Sequence, residues 1–178
     1  MHFEWFETSA ILYLVAPVFL FFATFIRIVV AIPGCTFIAV GAYSLIRRTR
    51  WRDQMGGSLV SVYLLAIACV WIWLSGGGGP LHQNTDWIKH YAILNALAQN
   101  HWPVEMAGQT GVLRYSLGWY LILALILKAV TPHAQNVALS LWSVTGIFIF
   151  FRIIAAVVGS RIGAFVAPLF FSYSVGLT

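Results

Sequence analysis

An acid, a cation and a base lie close together in this chain: Asp86, Lys89 and His90. On a helix, side chains three and four positions apart share one side, so these three would project together. A carboxylate in such a group can take a proton from a hydroxyl as a general base, and an ammonium group can hold an anion. The simpler interpretation is structural: an acid in the first turn interacts favourably with the helix dipole and stabilises the helix by about 0.3–1 kcal/mol. Spacing alone leaves both interpretations open.

Metal binding is a second chemistry open to these residues. His82, Asp86 and His90 have the side chains to ligate a divalent cation, and hard ions such as Mg²⁺ or Mn²⁺ prefer the oxygen ligands of Asp86. His82 precedes the predicted helix, so the spacing does not fix its direction. Asp86 and His90 are therefore the metal-ligand candidates.

Two arginines are candidates for binding an anion. Arg114 follows in the same polar segment and can contact a phosphate through two parallel hydrogen bonds, although a lipid headgroup or Glu105 would serve it equally well. Arg152 lies in an apolar stretch, where a charge is costly unless it snorkels or faces a polar cavity. Arg114 and Arg152 are therefore candidates for contacting the phosphate of a substrate, together with Lys89 and His90.

The composition identifies the environment of these residues. Of 178 residues, 61% are hydrophobic and 8% are charged, whereas a soluble domain has about 25% charged residues. Several apolar stretches approach the ~20 residues that a helix needs to cross a ~30 Å hydrocarbon layer. This excludes a soluble enzyme and a disordered chain. Stretches that are apolar on every face also argue against a transmembrane barrel, whose strands alternate.

The expected fold is all-α: a polytopic transmembrane helix bundle. Residues 9–46 are too long for one untilted span, and we expect a hairpin that turns near Pro33 and Gly34. The net charge of +5 comes largely from an arginine cluster, which marks the cytoplasmic side rather than a nucleic-acid site: Arg47, Arg48, Arg50 and Arg52. Further spans are predicted at 58–75, 117–130, 137–158 and 162–178.

The polar segment 76–116 is then the first large outer loop. Its middle predicts an amphipathic helix at 86–100, with Asn84 or Thr85 as the N-cap. Such a helix lies along the membrane surface and buries one face, here formed by Trp87, Tyr91, Leu94 and Ala98. We divide the chain into an N-terminal hairpin with its basic turn, 1–57, and a membrane region at 58–178 that contains this loop.

The order of these elements is similar to that of a known superfamily. Three segments follow one another as an acidic loop with its surface helix, a Trp-Pro turn and an aromatic, glycine-containing return into the membrane: Asn84–Leu97, Trp102–Val104 and Leu113–Tyr120. They resemble the first large outer loop of the GT-C glycosyltransferases, which include membrane oligosaccharyl-, mannosyl- and arabinosyltransferases. The resemblance covers about residues 70 to 160.

This resemblance implies an activity, which is hexosyl or pentosyl transfer from a polyprenyl-phosphate sugar at the outer face of the bacterial cytoplasmic (inner) membrane. Asp86 would be the catalytic acidic residue, as a general base or by holding the divalent cation. Lys89, His90 and Arg114 would orient the substrate and contact its phosphate. GT-C enzymes have many more spans, so the chain would be an N-terminal portion that acts with a partner chain or a missing C-terminal region. The alternative is a non-enzymatic membrane subunit or transporter fragment.

Overall fold

The structure, a computed structural model, describes residues 4–48, 58–77, 85–104, 113, 115–130, 134–158, 162–163, 165–166 and 168–169. The described residues form helices and no strand, which confirms the all-α prediction for that part of the chain. In chain order the helices are α1 (Glu4–Phe25), α2 (Ile28–Arg48), α3 (Ser58–Leu74), α4 (Thr85–Gln99), α5 (Gly118–Ala129) and α6 (Gln135–Val158).

Three of these helices are long and apolar enough to cross a membrane, with apolar windows at Phe6–Phe25, Ile28–Arg47 and Gln135–Val158. The predicted spans at 58–75 and 117–130 also appear as apolar helices, but α3 has 17 residues and α5 has 12. At ~1.5 Å per residue, α5 is ~18 Å long, which is less than the ~30 Å hydrocarbon layer. α5 is therefore too short to cross by itself.

The N-terminal hairpin turns earlier than the sequence predicts. α1 ends at Phe25 and α2 begins at Ile28, so the break falls at Ile26 and Arg27. The backbone N–H groups of Val30 and Ala31 both donate to the Arg27 carbonyl, each at 2.9 Å, and this starts α2 directly after the break. The prediction of a turn near Pro33 and Gly34 was wrong.

Pro33 and Gly34 lie inside α2, where Gly34 has a packing role. A Cβ atom at Gly34 would come within 2.5 Å of Phe22 Cδ1 of α1, so the Phe22 ring would have to shift to admit a larger residue there. Small residues serve the same purpose between helices in membranes, and such helices tolerate an internal proline. α2 therefore continues through both residues and runs for 21 residues, which is long enough to cross a membrane.

The chain forms two compact units. The first combines Met1–Thr49 with Asn84–Ala138 and so contains α1, α2, α4 and α5. The second combines Arg50–Gln83 with Leu139–Thr178 and contains α3 and most of α6. The core of the second unit is a set of residues at helical spacing on α3 packed against two from α6: Val60, Leu64, Ala68, Phe151 and Ala155. The sequence-based division at residue 57 stays a prediction.

Candidate functional site

The candidate site lies on α4, which packs on α5 in the first unit. α4 covers Thr85–Gln99, so the helix predicted at 86–100 is confirmed to within one residue at each end. Leu94 and Leu97 are fully buried, whereas Ile88 is 69% exposed. The helix therefore has one side in the protein and another at the surface, as its sequence indicates.

Asp86 and Lys89 form an ion pair on the exposed side of α4. Lys89 Nζ donates to Asp86 Oδ1 at 3.1 Å, and the two side chains are 63% (Asp86) and 69% (Lys89) exposed. An exposed pair at this spacing contributes about 0.3–0.5 kcal/mol, because water solvates both charges. The pair is therefore accessible to a ligand and easily opened by one. The structure brings together the predicted acid and the nearest predicted cation.

His90 lies one turn after Asp86, at the boundary between α4 and α5. Its Nδ1 is hydrogen-bonded to the hydroxyl of Tyr120, a residue that is 2% exposed. The imidazole is surrounded by aromatic rings, with ring centroids at 5.3 Å for Trp87, 5.8 Å for Trp119 and 5.8 Å for Tyr120. Because its Nδ1 is hydrogen-bonded to α5, His90 positions α4. Residue spacing within α4 could not have predicted this contact with Tyr120.

The carboxyl end of α4 is held by Lys128, near the end of α5. Lys128 Nζ donates to the carbonyl of Asn100 at 2.5 Å and lies 5.1 Å from the centroid of the Trp102 ring. Trp102 in turn donates its indole N–H to the Leu97 carbonyl at 2.7 Å. A cation at the carboxyl end of a helix is favourable to its dipole, so these contacts fix that end of α4. Sequence reasoning assigned Lys128 no such role.

Tyr91 adds a third attachment for α4. Its hydroxyl donates to Asn136 Oδ1 at 3.0 Å, within the first unit. The sequence predicts that Tyr91 and Leu94 lie on the buried face of α4. In the structure Tyr91 is half-buried and Leu94 is buried, whereas Ile88 is exposed. α4 is thus attached in its middle, through His90 and Tyr91, and at its carboxyl end, while Asp86 and Lys89 stay exposed.

The other candidate residues do not lie beside Asp86 among the described residues of the first unit. Arg114, His82 and Glu105 lie outside the described residues. Arg152 belongs to the second unit, where it is 4% exposed and donates to Ser61 Oγ of α3 at 3.0 Å. Its role toward a substrate stays a prediction.

Metal binding is the second chemistry predicted for Asp86 and His90. Across the described ranges, no group of three or more His, Cys, Asp or Glu residues is positioned to hold a metal ion. Asp86 is paired with Lys89, and His90 Nδ1 is engaged with Tyr120. Divalent-cation binding by Asp86 and His90 stays a prediction.

No family model, curated protein or solved structure matches this chain in the comparisons. The chemistry of the described residues is therefore the structural basis for inferring a function. An exposed carboxylate paired with an ammonium group, on a helix fixed to an apolar helix, can accept a proton beside a bound anion.

Proposed function

We propose that this chain is a multi-pass protein of a bacterial cytoplasmic membrane. We further propose that α4 carries a sugar-transfer site at the outer face of that membrane. The donor is a polyprenyl-phosphate hexose or pentose. One observation carries the proposal: the Asp86–Lys89 pair is exposed at 3.1 Å on a helix whose other side is anchored to apolar α5. The resemblance of this segment to the outer loop of GT-C glycosyltransferases supports the same assignment.

The reaction requires a base and an anion site, and the pair supplies both. An acceptor hydroxyl oxygen forms the new bond to the anomeric carbon of the sugar, and the bond from that carbon to the phosphate oxygen breaks. Asp86 takes the hydroxyl proton, and the polyprenyl phosphate leaves with the bonding electrons. Lys89 offsets the negative charge that builds on this leaving phosphate. Arg114 is a second candidate for that contact.

The weakness of the ion pair suits this role. A bond worth about 0.3–0.5 kcal/mol is a small obstacle to a phosphate that draws Lys89 away from Asp86. Once Lys89 contacts the phosphate, the Asp86 carboxylate no longer shares its charge with Lys89 and can accept the proton of the acceptor hydroxyl. The attachments of α4 through His90 and Lys128 keep this exchange local, because they hold the helix while the two surface side chains move.

Membrane attachment supports a lipid-linked donor. Three helices have the length and apolar character of membrane spans, and α5, on which α4 rests, is also apolar. A donor whose sugar phosphate lies at the surface and whose hydrocarbon chain lies in the bilayer would reach such a site from the side. We further propose that a partner chain, or further sequence after residue 178, completes the acceptor site.

A second candidate function follows from the exposure of the same pair. An ion pair with side chains 63% and 69% exposed also fits a simple surface helix. In that case the chain is a non-enzymatic subunit that docks through α4. Trp87, Tyr91 and Leu94 would then be the important residues of α4, with the buried Leu94 holding the helix in place, and Asp86 would be dispensable.

Release of polyprenyl phosphate from labelled donors distinguishes the two functions. The assay uses membranes that contain the chain in its native assembly, supplied with polyprenyl-phosphate hexose and pentose. We expect Asp86→Ala to lower release by at least about 100-fold, the lower end of what a general base contributes. Asp53→Ala in the basic turn is the matched control and should retain full release. Equal release by the two variants would remove the catalytic assignment and favour the docking subunit.

A further inference from the structure

An apolar groove lies in the first unit, away from the α4 residues discussed above. Its volume is about 470 Å³, and it is bordered by α1, α2 and α5 through residues that include Leu12, Val15, Phe19, Ala39, Tyr43 and Leu125. We call it the α1–α2–α5 groove. Its size falls in the range of about 300–1,000 Å³ that is typical of pockets for small ligands.

The lining favours hydrocarbon over water. Tyr43 is the one lining residue with a polar side-chain atom; the others are aliphatic, apart from Phe19. A buried water needs two to four polar partners, so this groove is a poor site for ordered water. α1 and α2 both have the length and apolarity of membrane spans, which gives lipid chains access to the groove.

The charge near Tyr43 favours an anionic headgroup. The Arg47 guanidinium lies over the Tyr43 ring, 4.6 Å from its centroid, and both side chains are exposed. α2 contains no acidic residue, and its sequence ends in Arg47 and Arg48. Glu7 of α1 is 8% exposed, so its carboxylate is not presented to the surface. A cation therefore stands next to the tyrosine that borders the apolar groove.

We propose that the α1–α2–α5 groove binds an acyl chain of an anionic glycerophospholipid whose phosphate is held by Arg47. The chain supplies the apolar contacts, and the guanidinium can make a two-pronged contact with the phosphate. Bound lipid fills the space between the α1–α2 hairpin and α5, the helix that carries α4. The proposal does not rest on sugar transfer, since it uses neither Asp86 nor Lys89.

Native mass spectrometry of the purified full chain in a neutral detergent tests this proposal. The probes are phosphatidylglycerol and phosphatidylcholine with identical acyl chains, each added at increasing concentration. We expect phosphatidylglycerol adducts to form at lower lipid concentration. Arg47→Gln should weaken phosphatidylglycerol binding by about fivefold, the effect of one basic residue at an anionic lipid surface. Arg27→Gln removes the same charge from the break between α1 and α2 and should leave binding unchanged.

A second pair of variants tests the groove itself. Ala39→Phe places a ring in the groove and should abolish the adduct, whereas Val40→Phe places the same ring at a neighbouring residue that is 59% exposed and does not line the groove. Equal adducts with the two lipids would overturn the proposal. Equal losses from Arg47→Gln and Arg27→Gln, or from Ala39→Phe and Val40→Phe, would also overturn it. The surface variant Arg47→Gln keeps the test decisive if Ala39→Phe does not fold.

Discussion

Removing the Tyr120 hydroxyl should loosen α4 from α5. Tyr120→Phe keeps the buried ring but deletes the hydrogen bond to His90 Nδ1. A hydrogen bond contributes about 0.5–1.5 kcal/mol, and a buried polar group left without its partner costs about 1–3 kcal/mol. Because His90 is half-buried and its freed nitrogen can regain some water, we expect a cost of about 1–2 kcal/mol.

Hydrogen exchange of the chain in nanodiscs measures this cost locally. A loss of about 1–2 kcal/mol makes local opening about 5–30-fold more frequent, so backbone amides of α4 should exchange faster by that factor. α1 and α2 should be unaffected. Tyr43→Phe is the control, because it removes the hydroxyl of a side chain that is 54% exposed. Unchanged exchange in α4, or equal acceleration by the control, would refute the anchoring role of His90.

Two further variants test packing, one in each unit. For both, the measured quantity is the free energy of unfolding, obtained by raising the fraction of denaturing detergent in mixed micelles. Leu94→Ala should cost about 2–5 kcal/mol because Leu94 is fully buried, whereas Ile88→Ala, at a position 69% exposed, should stay within about 0.5 kcal/mol; similar losses would contradict the observed orientation of α4. Ser61→Ala removes the hydrogen-bond acceptor that lies 3.0 Å from Arg152, and it should lower the free energy of unfolding by about 1 kcal/mol. This value lies between the ~0.6 kcal/mol average for polar contacts in membranes and the ~1.5–3 kcal/mol for hydrogen bonds to charged groups. Ser44→Ala is its control, and equal stability of these two variants would show that the Ser61 contact contributes nothing measurable.

The sequence predicted α4 well because several local signals agree there. Asn84 and Thr85 are cap residues, Asp86 is an acid suited to a first turn, and the apolar face repeats with helical period. The observed helix begins at Thr85 and buries Leu94, as this pattern requires. The ion pair with Lys89 also follows from spacing along one helix.

The turn of the N-terminal hairpin could not be predicted as reliably. Pro33 and Gly34 are strong turn residues in soluble proteins, but here both lie inside α2, and the Phe22 ring of α1 occupies the space beside Gly34. The residue at the actual break is Arg27, whose charge favours a position at a helix end over a position inside a span. Helix packing thus decided what local propensity left ambiguous.

The partners of His90 and Lys128 could not be predicted because they come from sequence-distant elements. Tyr120 is 30 positions after His90, and Asn100 is 28 positions before Lys128. No periodicity within one helix encodes such contacts. They form only when α4 packs against α5, so sequence reasoning treated His90 as a ligand-binding side chain and missed its contact with Tyr120.

The most direct test of the central claim is labelling of residue 86 by a membrane-impermeant maleimide in intact cells. Asp86→Cys and Asp53→Cys are each introduced after Cys35→Ala and Cys69→Ala have removed the native thiols. The proposed outer site predicts that Asp86→Cys is labelled from outside and that a short-chain polyprenyl phosphate slows its labelling, while Asp53→Cys reacts only after permeabilisation. Labelling of Asp86→Cys that requires permeabilisation, or that is indifferent to the lipid phosphate, would contradict the account.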